Sequence, residues 1–167
     1  MGRMKLKGPW SRRKMRPPSD DPGEGTFQLL FERHPEIAKR ETRSIFVPTE
    51  DEGVPPGQYD FAEAFCMGRN CDCRRVMFMV HRSSFDHPER SEHVTTIGYG
   101  WEPPGFYLEW MFGDREGAEF MRGPVIEPNS PPCDYDVPLL QLFERTCLTL
   151  PDYVDRVRRH YEQFKRR

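Results

Sequence analysis

The sequence predicts an α+β domain, an antiparallel β-meander packed by C-terminal α-helices. Two observations carry this. Three runs between residues 59 and 99 place aromatic and β-branched residues at period two, whereas the segments after residue 103 space their apolar residues by three and four. A third observation adds a zinc site at the first hairpin. FCMGRNCDCRRVMFMV, residues 65–80, holds three cysteines within eight positions and runs directly into an alternating strand.

Length and composition set the frame. At 167 residues the chain fits one domain, but 36% hydrophobic residues, 31% charged residues and 17 prolines predict a core that is small for the chain. Residues 1–25 carry seven Lys or Arg, four prolines and four glycines. They read as a disordered basic arm, because so polar a segment buries too little surface to offset the entropy of ordering. No apolar run approaches the ~20 residues that span a bilayer, and the N-terminus lacks the apolar core of a secretory signal. The chain therefore reads as a soluble cytoplasmic protein without a membrane partner. In a reducing compartment, closely spaced cysteines point to metal or redox chemistry before disulfides.

The elements follow in order. Residues 26–57 are expected to form a helical and linker segment: Thr26 is a candidate N-cap, Phe27, Leu30 and Phe31 share a helical face, Pro35 interrupts, and TEDEGVPPG is turn-rich. Residues 58–167 are expected to form the compact zinc-binding domain. Its strands are YDFAEAFC, RRVMFMVHR and HVTTIGYGW, joined by short turns. PPGFYLEWMFGDREGAEFMRG then places Phe106, Trp110 and Met111 at helical spacing, with Gly113 as a break. In DVPLLQLFERTC, Leu139, Leu140, Phe143 and Cys147 line one helix face. TLPD predicts a capping box with Thr149 as N-cap and Asp152 three residues on. It opens a final helix whose inward face is Leu150, Val154, Val157, Tyr161 and Phe164 and whose remainder is rich in Arg and Lys.

Cys66, Cys71 and Cys73 have the spacing C-x4-C-x-C. With the strand beginning near Asp72, Cys71 and Cys73 would point to one side, and a four-residue turn would fold Cys66 beside them. Strand positions i and i+2 lie about 6.5–7 Å apart at Cα, at the limit of disulfide geometry. Zinc fits better, since Zn–S bonds of about 2.3 Å set neighbouring sulfurs roughly 3.7 Å apart. Zn2+ is the expected cofactor. Its fourth ligand is open between Cys133 in a proline-rich loop and His160 on the last helix, followed by His81, His87 or His93 around the second hairpin. Arg74 or Arg75 could donate to a sulfur, and one of the two is expected to face solvent.

The function classes narrow accordingly. Neither a phosphate-cradling glycine loop nor the deaminase metal signature occurs, and Glu63 beside the cysteines reads as a surface residue. A non-enzymatic zinc-binding interaction module is expected, meeting a protein or nucleic acid through its basic termini. A zinc-dependent hydrolase or thiol redox protein is the alternative.

YDFAEAFC with CDCRRV, TIGYGWEPPGFYLEWM and DYVDRVRRHYEQFK resemble a family of small, uncharacterised bacterial proteins sharing a [FY]C-x4-CDCRRV motif. The likeness covers roughly the last 110 residues. It implies no activity, only that Cys66, Cys71 and Cys73 belong to a recurring motif.

Overall fold

A computed structural model describes Gly23 and residues 25–166. Strands β1 (Phe27–Leu29), β2 (Arg43–Val47), β3 (Gly57–Cys66), β4 (Arg75–Ser83), β5 (Ser91–Gly100) and β6 (Val125–Ile126) form one antiparallel sheet. β3, β4 and β5 are the predicted meander. β1 pairs with Ala64–Cys66 and β2 with Gly57–Phe61, so both share one edge of β3, and β6 closes the far side along β5. The helices are α1 (Leu30–Arg33), α2 (Pro35–Glu41), α3 (Pro104–Trp110), α4 (Arg115–Arg122), α5 (Asp136–Phe143) and α6 (Pro151–Lys165). A π-turn over 144–148 links the last two.

Alternation in the strands decides which side is core. Tyr59, Phe61 and Phe65 on β3, Val76, Phe78 and Val80 on β4, and Ile97 on β5 have no exposed surface. They meet the C-terminal helices, where Phe143 stacks on Phe61 at 4.5 Å and meets Phe78 edge-on at 4.8 Å. Phe164 lies 5.6 Å from Phe65. Full burial of a phenylalanine contributes about 1.5–3 kcal/mol, so this row holds the helices down.

The opposite face takes α3 and α4 at one end. Arg75, 3% exposed, pairs with Glu127 at 2.6 Å and donates to the carbonyls of Met121 and Phe120 at 2.9 and 3.2 Å. Gly98 lies directly beneath this pair, and a Cβ there would overlap both Glu127 Oε1 and Arg75 Nη2. Glycine is required by close approach.

Several expectations need correction. Residues 26–57 do not stand apart from the domain: two of the six strands come from them, and Phe27 lies on a strand where a helix was expected. Thr149 does not cap α6. Its hydroxyl donates back to the Arg145 carbonyl at 3.1 Å, while Leu150 occupies the cap position and Pro151 begins the helix. The inward face of α6 is Tyr153, Val157, His160 and Phe164, rotated from the predicted one, and Leu150 is exposed. The basic arm, residues 1–25, lies outside the described residues except for Gly23 and Gly25.

Candidate metal centre

Cys66 is the last residue of β3, and β4 begins only at Arg75. Cys71 and Cys73 therefore sit in the connecting loop and not on the strand, as the spacing had suggested. The loop still gathers them. The three sulfurs lie within 4.8 Å of one another, with Cys66 and Cys73 buried and Cys71 half-buried. No other group of three or more metal-ligating side chains assembles among the described residues.

The loop is held from several sides. Phe27 pairs with Cys66, and the Met67 N–H donates to the Thr26 carbonyl at 2.7 Å. Lys165, at the end of α6, donates to the Gly68 carbonyl at 2.8 Å. Arg74, immediately after Cys73, adopts a left-handed φ of 45°. Its carbonyl accepts a hydrogen bond from the buried Tyr107 hydroxyl at 2.7 Å, and that phenol packs so close to Gly100 that a Cβ would overlap it. Neither arginine faces solvent as expected: Arg75 is buried, and Arg74, largely buried, bridges Asp72 and Glu102 at 2.9 Å each.

The thiols share their protons unequally. Hydrogen bonds from the Cys71 and Cys73 thiols, helped by the backbone N–H groups of Gly68 and Gly25, hold Cys66 far below its ordinary value against the opposing effect of burial. Donation to Cys66 pushes Cys71 up and Cys73 well up, and burial adds to both. The Cys66 thiol in turn donates to the Gly23 carbonyl at 3.8 Å. Three sulfurs this close are a donor set for a soft or borderline cation.

The two leading candidates for a fourth ligand lie elsewhere. Cys133 is two residues from Tyr135, whose ring meets Tyr59 at 6.4 Å. Tyr59 is seven residues along β3 from Cys66, about 23 Å at strand rise. His160 is fully buried with both ring nitrogens engaged: Nδ1 donates to Glu63 at 2.6 Å and Nε2 to Glu41 at 2.9 Å. Two carboxylate acceptors require two N–H donors, so this is an imidazolium. Burial alone would lower its pKa, but Glu63 and then Glu41 raise it overall.

Glu63 was missed as a structural residue. It is 3% exposed and falls in the same row as Tyr59, Phe61 and Phe65. A carboxylate at period two within a buried aromatic row demands a cationic partner, and His160 provides it.

No family model, curated protein or solved structure matches this chain. Among the described residues, no helix is long and apolar enough to cross a membrane.

Proposed function

We propose that Cys66, Cys71 and Cys73 hold a zinc ion that ties the β3–β4 loop to the sheet, and that the protein is a non-enzymatic interaction module working in the reducing cytoplasm. The observation that carries this is the convergence of the three sulfurs within 4.8 Å on a loop fixed by α6, β1 and Tyr107. Three converging sulfurs, backbone N–H groups directed at Cys66 and a mostly buried setting fit a zinc–thiolate site whose fourth position no side chain among the described residues fills. The zinc would offset the repulsion that three thiolates would otherwise feel.

A protein partner is favoured over nucleic acid. The cationic side chains of α6 and of Arg166 at its C-cap are largely engaged within the chain: Arg158 with Asp155, Arg159 with Glu41, Arg166 with Glu162 and Lys165 with Gly68. Binding to mixed-sequence DNA and RNA across a salt series tests this. Weak binding, unchanged when residues 1–22 are removed, is expected; tight, strongly salt-dependent binding overturns the preference.

The proximity of the three thiols also supports a redox reading, in which one thiolate attacks a disulfide and a neighbouring thiol resolves the mixed disulfide. Chelator treatment separates the two. Loss of thermal stability supports zinc, whereas an unchanged melting curve with rapid thiol–disulfide exchange supports redox chemistry.

A further inference from the structure

A second constellation lies at the other end of the sheet. His81 on β4 is paired in register with His93 on β5, and their rings lie 5.2 Å apart at a tilt of 32°. A β-bulge makes this pairing. Val80 pairs with Thr95, so regular antiparallel register would set His81 opposite Val94 and His93 opposite Arg82. The register instead shifts between Val80 and His81, which brings His93 across from His81 and onto its face of the sheet. Bulges characteristically re-aim a side chain in this way. Val94 and Thr95, the two residues doubled on the bulged strand, are both buried, while both histidines remain half-exposed.

Both imidazoles are oriented by neighbouring backbone and hydroxyl groups. His81 Nδ1 lies 3.2 Å from the Met79 carbonyl, an acceptor, which fixes the proton on Nδ1 and the lone pair on Nε2. The His93 ring is held by the Thr96 hydroxyl, 2.9 Å from Nε2, and by the Thr95 backbone. A histidine whose far nitrogen is held by a carbonyl or hydroxyl is prepared as a metal ligand. Asp60, the register partner of His81 on β3, adds negative charge beside the pair. Gln58 Nε2 at 2.8 Å and the Ser44 hydroxyl hold its Oδ1.

We propose that His81 and His93 form a second metal site, for an imidazole-preferring transition-metal dication such as Co2+, Ni2+, Cu2+ or Zn2+. It is independent of the thiol cluster: His81 is six residues along β4 from Arg75, about 20 Å. Solvent completes the coordination, and Asp60 strengthens it through charge.

Cobalt titration of the metal-free protein tests this. Two equivalents are expected: one with thiolate-to-cobalt charge-transfer absorption, and one without it that shifts the His81 and His93 imidazole resonances in the unaltered protein and spares those of His87. H81Q and H93Q should each weaken the second equivalent at least tenfold and leave the thiolate absorption unchanged, while H87Q changes neither. The proposal is overturned if no resonance of His81 or His93 shifts, or if the second equivalent binds H81Q and H93Q as it does the unaltered chain. Histidine shifts without thiolate absorption would instead sink the zinc reading of the cysteines and leave this site standing.

Discussion

The Tyr107 hydroxyl donates to the Arg74 carbonyl at 2.7 Å, and it does so from a position that only a glycine at 100 leaves free. This bond spans 33 residues and fixes the left-handed residue that follows Cys73. Y107F should leave that carbonyl without its donor, at a cost of about 1–3 kcal/mol. Metal affinity should also fall roughly tenfold or more, as it does when groups supporting a metal ligand are removed. Urea denaturation and chelator competition measure the two effects separately. Unchanged affinity with reduced stability would confine Tyr107 to a packing role.

Two glycines should respond oppositely to alanine. At Gly98 the added Cβ must part Arg75 from Glu127, and disrupting a buried ion pair costs about 3–5 kcal/mol. At Gly105, on α3, nothing lies within 4 Å of the same atom. There, replacing a helical glycine should stabilise the fold by about 0.5–1 kcal/mol. Midpoints of chemical unfolding give both values.

Phe143 touches Phe61, Phe78 and Tyr153 at once. F143A removes the ring that joins β3, β4 and α6, and should cost about 3–5 kcal/mol. A loss below about 1 kcal/mol would mean that the core does not converge on this side chain.

The Glu63–His160–Glu41 group predicts a pH window for stability. The folded pKa of His160 is raised above its ordinary 6.5. Its contribution is therefore complete below 6.5 and fades as pH rises through the folded value. The folded pKa of Glu41 is lowered from 4.5 by the hydrogen bonds and charges of His160 and Arg159, which outweigh burial. Its contribution is present above 4.5 and lost as pH falls through the folded value. The difference in unfolding free energy between the unaltered chain and H160Q should be largest between about 4.5 and 6.5 and narrow on either side. A difference that does not vary with pH would contradict the imidazolium assignment.

The meander was legible because period two is a strong signal when a buried aromatic row lies against an otherwise mixed face, as in Tyr59, Phe61 and Phe65. Gly113 was legible as a break for a similarly local reason: it falls between α3 and α4. Pairing at a distance was not. FQL in β1 and RSIFV in β2 are too short to show a period of their own, and only the edge of β3 makes them strands. The face of α6 was misread because His160 was weighed as a ligand while Tyr153, with the same spacing, was passed over. The cysteine cluster was legible from spacing alone, though by a different route, since the loop gathers Cys71 and Cys73 without strand geometry. His93 could not be placed from sequence, because a single extra residue in β5 decides which face it joins.

The most direct test of the metal centre is zinc content measured together with the alkylation of each cysteine in protein purified without chelator. One zinc per chain is expected, with Cys66, Cys71 and Cys73 protected from iodoacetamide until the metal is stripped and then reactive together. Zinc-free protein whose Cys71 and Cys66 alkylate at once, with unfolding unaffected by added zinc, would contradict it.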